Sequence, residues 1–354
     1  MHAYDTIGRL FMVGIPYPTV DSNTRRLLHE VRPAGVILFR RNYRDPETLA
    51  ALCTELHSLF SNQPLFIALD HEGGRVHRLE PPFTHFPPAA VLGRIGSATL
   101  TQRVGCAMGE ELSSVGIDID FAPVLDVLTN PRNTVIGDRA FSADPQVVGL
   151  LGCALMRGLR EGGVIPCGKH FPGHGATLID SHDDLPRDER GKEELMRSDL
   201  ASFHRAIAAG AEMLMTAHVQ YPALDSSLPA TFSPLIIEGL LRRRLDFQGV
   251  VITDDLEMGA IVRHFTVEQA AVDALRAGAD LLLICHSLER AVTARDACAR
   301  ALSEGTLLLQ RVEQAGQRIE ALRQTRCQPR RTTTVAIGVP EHQQLVEEIL
   351  RLTA

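Results

Sequence analysis

Residues 164–182 read Val-Ile-Pro-Cys-Gly-Lys-His-Phe-Pro-Gly-His-Gly-Ala-Thr-Leu-Ile-Asp-Ser-His. An aliphatic run ends abruptly at Lys169 and His170, and a segment shaped by Pro172, Gly173 and Gly175 then carries His174, Asp180 and His182. Charged groups at the end of an apolar strand are costly to bury unless they are paired or used. Val164–His170 is therefore read as a buried strand that delivers chemistry at its C-terminal end. The glycines and proline predict a long, sharply turned surface loop after it rather than a helix.

The same design recurs on either side. Leu10–Ile15, Gly35–Phe39, Leu65–Asp70, Ile117–Val124, Glu212–Val219, Gly249–Asp254 and Asp280–His286 are aliphatic or β-branched runs without polar alternation, as strands covered on both faces should be. Helix signals lie between them. Asp45-Pro46 is an N-cap followed by a first-turn proline, ahead of Leu49, Leu52, Leu56 and Phe60. Met196, Leu200, Phe203 and Ile207 repeat at helical spacing before Gly210, and Thr266 with Gln269 opens a helix that Gly278 closes. Eight alternating βα units predict a single-domain α/β chain closed as a (β/α)8 TIM-like barrel, although pattern alone also admits a doubly wound open sheet. The barrel is expected over residues 1–326. Residues 327–354 are expected to form a tail, polar and basic at Cys327–Thr334, whose amphipathic helix around Glu341–Leu352 packs on the barrel.

Composition narrows the function. Of 354 residues, 45% are hydrophobic and 22% charged, enough for a large core, and the net charge of −7 comes without the basic stripe of a nucleic-acid binder. No apolar run approaches the roughly 20 residues that span a bilayer, and the first residues lack a secretory pattern. Seven scattered cysteines without a CxxC pair argue against a disulfide framework or a structural zinc cluster. A cytoplasmic monomer without membrane, nucleic-acid or metal partner and with no cofactor is expected.

In barrel enzymes the site lies at the C-terminal ends of the strands. There this chain places Asp70-His71-Glu72-Gly73-Gly74-Arg75 with Arg78, Gly137-Asp138-Arg139, Lys169-His170, His218, Asp254-Asp255 and His286. Asp180 and His182 can meet if their loop bends, and an aspartate beside an imidazole makes it a proton donor that later acts as a base near neutral pH. Taken singly, each residue has a structural alternative. Asp254 alone at a strand end is more often a helix N-cap, a role expected of Asp255. Lys169 and His170 can satisfy buried carboxylates while touching a ligand, and Arg78 and Arg139 can be rim salt bridges. Glu72 is expected to brace the glycine turn and His174 the loop. Asp183 and Asp184 read as solvated or capping residues, His218 divides evenly between packing and ligand contact, and His286 has no assigned role.

Lys169–Gly175 with Asp180-Ser181-His182 resembles the KHFPGHG…DSH signature of glycoside hydrolase family 3, in particular its NagZ-type β-N-acetylglucosaminidases. Asp70–Arg78 is similar to the family's D-x-E-G-G-R-V-x-R segment, Gly137–Phe141 to its G-D-R-x-F loop and Thr253–Met258 to its nucleophile segment. The resemblance runs in order over roughly residues 5–325. It implies a retaining exo-β-N-acetylglucosaminidase acting on peptidoglycan-derived N-acetylglucosaminyl-anhydromuramoyl peptides, with Asp254 as nucleophile and His182 paired with Asp180 as acid/base. Asp70, Arg78, Arg139, Lys169 and His170 would bind the sugar. His71, Ala176 and Glu257 depart from the residues usual at their positions, which touches fine contacts and leaves the chemical groups intact. Two alternatives use the same residues. Phosphate in place of water would make the protein a β-glycoside phosphorylase, and His170, His174, Asp180 and His182 are competent zinc ligands for a metal-dependent barrel hydrolase.

Overall fold

The computed structural model describes residues 3–60, 63–178, 180–181, 184–326 and 332–353. Eight strands appear at the eight apolar runs: β1 Phe11–Gly14, β2 Gly35–Leu38, β3 Phe66–Leu69, β4 Ile119–Asp120, β5 Ile165–Phe171, β6 Met213–Thr216, β7 Val250–Asp255 and β8 Leu281–Ile284. They pair in parallel and in sequence order, and β8 returns to β1 through Leu282–Phe11 and Ile284–Val13, so the sheet is a closed barrel rather than an open one. Closure leaves no sheet edge, and helices cover the outside, which is why the strands can be apolar on both faces. Among the described residues, Asp254 is the one strand residue that is only partly buried.

Several strands are shorter than their apolar runs, and β4 shows why. Pro123 has no N–H to give to a ladder, so regular pairing stops at Asp120. The chain nevertheless stays on β5 through Cys167 N to Ala122 O (2.9 Å), Lys169 N to Pro123 O (3.1 Å) and Leu125 N to Lys169 O (2.6 Å). The β5–β6 register also shifts between Gly168 and Phe171. Irregularity is thus concentrated where the polar residues begin.

The capping residues read from sequence act as caps. Asp45 accepts from Thr48 N at 2.7 Å ahead of Pro46, Thr266 accepts from Gln269 N at 3.2 Å, and Gly278 ends that helix with φ 117°. The Met196–Ile207 periodicity, expected as one helix, is divided at Ser198 into Lys192–Arg197 and Asp199–Ala208. Arg190 is the cause. It grips Ser198 Oγ (3.0 Å) and Asp199 Oδ2 (2.7 Å), while Asp199 Oδ1 takes Val127 N (3.2 Å), drawing the second helix under the β4 loop.

The last helix, Pro340–Thr353, inserts Leu345 and Ile349 into an apolar cluster with Leu100, Val104 and Leu155 from the helices Ala98–Ser114 and Pro145–Glu161. Its polar anchor is Glu111, a buried carboxylate that accepts from His342 Nδ1 (2.8 Å), Gly338 N (3.0 Å), Thr84 N (2.8 Å) and Thr84 Oγ1 (2.6 Å). Residues 327–331 of the polar stretch before this helix lie outside the described residues. Among the described residues no helix is long and apolar enough to cross a membrane.

Candidate active site

A cavity of about 230 Å³ opens at the C-terminal end of the barrel, and Asp70, Arg78, Arg139, Lys169, His170, Asp180 and Asp254 all line it. Of the residues proposed from sequence, His182 and Asp183 lie outside the described residues. The remaining predicted nucleophile, acid/base and sugar-binding residues converge on this one space.

The β3 loop builds one wall. Gly73 (φ 86°) and Gly74 (φ 53°) take left-handed conformations that a side chain would strain. The resulting turn returns Val76 to Gly73 O and closes on Glu72 N. Arg75 anchors its outer side on Asp138 at 2.9 Å, and Arg78 comes back to Asp70 at 3.7 Å. Glu72 does more than brace the turn. Its carboxylate binds Arg139 through two contacts of 2.8 Å and Lys169 Nζ at 2.6 Å, while Lys169 also reaches Asp70 at 2.6 Å.

Lys169, 2% exposed, therefore sits between two carboxylates. Burial works to lower its pKa, but Asp70 and Glu72 outweigh that and raise it. Burial likewise pushes the Glu72 pKa up, and Arg139 and Lys169 more than reverse this, so it is a firm carboxylate and no proton donor. Charges paired this closely are satisfied before any ligand arrives.

Next to Lys169, His170 Nδ1 lies 2.7 Å from Asp126 Oδ2. Asp126 is completely buried and also accepts from His170 N (3.2 Å) and His174 N (2.7 Å). Burial raises its pKa, yet the His170 imidazole beside it brings the net value below the ordinary range. A carboxylate at Nδ1 fixes the ring's tautomer and direction. This residue was missed in the sequence, although a lone aspartate inside the apolar run Phe121–Val127 demands a partner.

The loop after β5 corrects the surface-loop expectation. Pro172, Gly173, His174, Gly175 and Thr177 are buried, and only at Leu178 does the segment become exposed. Tyr221 OH donates to Gly173 O, Asn133 Nδ2 to His174 O (2.7 Å), and His174 bridges Thr177 Oγ1 (2.7 Å) and Ser181 Oγ (3.1 Å). Burial first, and His170 second, depress the His174 pKa to about 4, so this imidazole is neutral and structural. A Cβ on Gly175 would stand 1.9 Å from Val127 O, so only glycine permits that approach. Ser181 O then accepts from Ala260 N (3.0 Å), tying the segment to the β7 side of the mouth.

Asp254, the penultimate residue of β7, lines the cavity, and its Oδ1 accepts from Asp255 N at 2.8 Å. Burial works to raise its pKa, but His218, His170, the Asp255 amide and Lys169 prevail and hold it below the ordinary value. It is therefore an ionised carboxylate at neutral pH. Asp255 is not the expected helix N-cap, because the next helix, Gly259–Val262, is preceded by Met258. Its Oδ1 instead takes Glu257 N and Cys285 N, both at 3.1 Å, lacing β7 to the end of β8. His218, wholly buried between Thr231 Oγ1 (2.8 Å) and Asp255 O (3.0 Å), packs behind the strand and does not line the cavity. Asp184 caps Leu185 N and holds His264 at 2.8 Å.

A strand-end carboxylate facing a one-sugar cavity of pre-paired charges, in a closed parallel barrel, has the build of a barrel glycoside hydrolase. Residues 4–322 match Glycosyl hydrolase family 3 N terminal domain. The β-hexosaminidase of Thiobacillus denitrificans is 45% identical over 293 residues, covering 81% of this chain and 80% of that protein. A glycoside hydrolase family 3 β-N-acetylglucosaminidase from Paenibacillus sp. superposes with a TM-score of 0.96 at 39% identity, over 99% of this chain and 69% of that one. NagZ from Neisseria gonorrhoeae, solved in complex with N-trifluoroacetyl-D-glucosamine, gives a TM-score of 0.77 at 33% identity over 98% of both chains. The chain belongs to glycosyl hydrolase family 3, and it is a glycoside hydrolase of the β-hexosaminidase class.

Proposed function

We propose that this protein is a retaining exo-β-N-acetylglucosaminidase in which Asp254 is the nucleophile and His182, paired with Asp180, is the acid/base. The observation that carries the reading is that Asp254, the one only partly buried strand residue among those described, shares its cavity with Asp180 and Ser181 from the β5 loop. An Asp254 oxygen attacks the anomeric carbon while His182 gives its proton to the glycosidic oxygen, and the aglycone leaves as an alcohol. His182, now neutral, takes a proton from water; the hydroxyl bonds to the anomeric carbon and the Asp254 carboxylate departs, giving net retention.

Lys169, His170, Asp70, Arg78 and Arg139 bind the sugar. The paired Glu72 and Arg139 side chains, 6% and 13% exposed, wall the cavity, and a walled pocket favours a terminal residue over an internal one. The acetamido preference rests on the activities of the relatives. The substrates are N-acetylglucosaminyl-anhydromuramoyl peptides, and the protein works as a cytoplasmic monomer, one catalytic barrel over residues 1–326 and a tail 327–354 whose terminal helix packs on the barrel. Labelling with a slow fluorinated N-acetylglucosaminide, followed by peptide mass spectrometry, tests the mechanism. The adduct is expected on Asp254, and an adduct on another carboxylate would overturn the assignment.

A further inference from the structure

A second cavity, of about 370 Å³, adjoins the first across a seam of Asp70, Arg78, Met215 and Asp254, which line both. Its character differs. Ile37, Leu283 and Met258 give it an apolar floor, and the rings of Phe39 and His286, from the ends of β2 and β8, stand beside each other with centroids 6.1 Å apart and planes 21° from parallel. Neither ring is among the sugar-binding residues proposed above, although the Arg78 guanidinium lies 6.0 Å from the centre of the Phe39 ring.

This shelf is held in place from behind. Arg41 lies 4.5 Å over the Phe39 ring while its guanidinium donates to Ile15 O (3.0 Å) and Cys285 O (2.6 Å). Phe39 N donates to Asn42 Oδ1 (2.9 Å). Glu257, whose side chain is 3% exposed, accepts from His286 N (2.5 Å) and Ser287 N (3.2 Å), and His286 Nε2 reaches Asp255 Oδ2 at 3.4 Å. An apolar ring face with a few fixed polar groups at its edge suits a pyranose, whose axial C–H faces are apolar and whose hydroxyls lie at the rim.

The direction of the substrate supplies the rest, given the exo-glycosidase reading above, on which this step rests. A β-linked pyranose runs on along its C4–C1 axis. With the distal hydroxyls against Lys169, Glu72 and Arg139 and the anomeric carbon over Asp254, the aglycone continues across the seam. We propose that the Phe39–His286 cavity is the subsite for the leaving-group sugar, with Phe39 as the ring on which that pyranose stacks. The same arrangement makes Phe39 a specificity-determining residue for sugar aglycones that is silent toward small leaving groups.

The test compares N,N′-diacetylchitobiose, whose leaving group is a sugar, with N-acetylglucosaminyl azide, whose leaving group is too small to reach the shelf. For Phe39→Ala, kcat/KM on the disaccharide is expected to fall about tenfold or more. Turnover of the azide and competitive inhibition by free N-acetylglucosamine should both stay within about twofold of wild type. Phe39→Tyr, which keeps the ring, should restore the disaccharide. Equal losses on both substrates would assign the shelf to the first sugar or to bracing the site, and no loss on either would leave it without a ligand; each result overturns the inference. Wild-type protein that cleaved neither substrate would instead overturn the glycosidase reading beneath it.

Discussion

Replacing Asp126 by asparagine tests whether the His170 imidazole is oriented or merely present. Asp126 Oδ1 already takes two backbone amides, His170 N and His174 N, so the oxygen of the new carboxamide would remain there and its NH2 would face His170 Nδ1. The ring must then accept at Nδ1 and carry its proton on Nε2, reversing the hydrogen-bonding sense it offers a sugar hydroxyl. A hydrogen bond to a charged group is worth roughly 1.5–3 kcal/mol, so kcat/KM should drop about 10- to 100-fold. Loss of the buried charge should remove about 3 kcal/mol of stability, at the low end for a broken buried pair. With about 2.1 cal/mol/K of unfolding entropy per residue, 354 residues give about 0.74 kcal/mol/K, so the melting temperature should fall by about 4 °C. The chain has no tryptophan, so the melt is followed by far-ultraviolet circular dichroism and the kinetics with an aryl β-N-acetylglucosaminide. A variant that melts early yet keeps wild-type kcat/KM would refute the orienting role and leave Asp126 purely structural.

Asp254→Ala is expected to cut turnover by about 10⁴-fold or more, whereas His182→Ala should cost about 10²–10⁴-fold on poor leaving groups and little on activated ones. Equal loss on both substrate types would remove His182 from the acid role. The depressed His174 pKa makes stability fall with acid. Above about pH 6.5 the imidazole is neutral in both states, while toward pH 4 the unfolded chain binds a proton that the folded one refuses, a loss of up to about 3 kcal/mol. Urea midpoints across that window should fall less steeply in His174→Gln, and identical slopes would count against it. Gly175→Ala should cost about 1–3 kcal/mol and much of the activity as Val127 is pushed away. Gly191→Ala, with nothing within 4 Å of its added carbon, serves as the benign control in the same melts and rate assays.

The barrel was legible because its strands are apolar on both faces and the chain breaks into charge at their C-terminal ends. That rule was enough to group Asp70, Lys169, His170 and Asp254 at one mouth. It did not reveal which distant groups hold them. Asp126 and Asn133 come from the far end of β4 and its loop, and nothing local in KHFPGHG names them as partners. For the same reason the loop looked like surface: glycine and proline announce a turn, but its burial depends on remote carboxylates and amides. The break at Ser198 was hidden similarly, since helical spacing continues through it and Arg190 acts from outside the pattern. Side-chain bonds between distant segments are the part that periodicity does not record.

Glu111 gives the carboxy-terminal helix a reach beyond its own packing. One carboxylate fastens His342 and Gly338 of the tail and Thr84 of the segment that follows Arg78. Shortening the gene ahead of Pro340 would therefore do more than strip an outer helix. It would bare an acid in the protein interior and slacken the strap behind the arginine that faces Asp70, so trimmed variants should betray themselves first in substrate affinity.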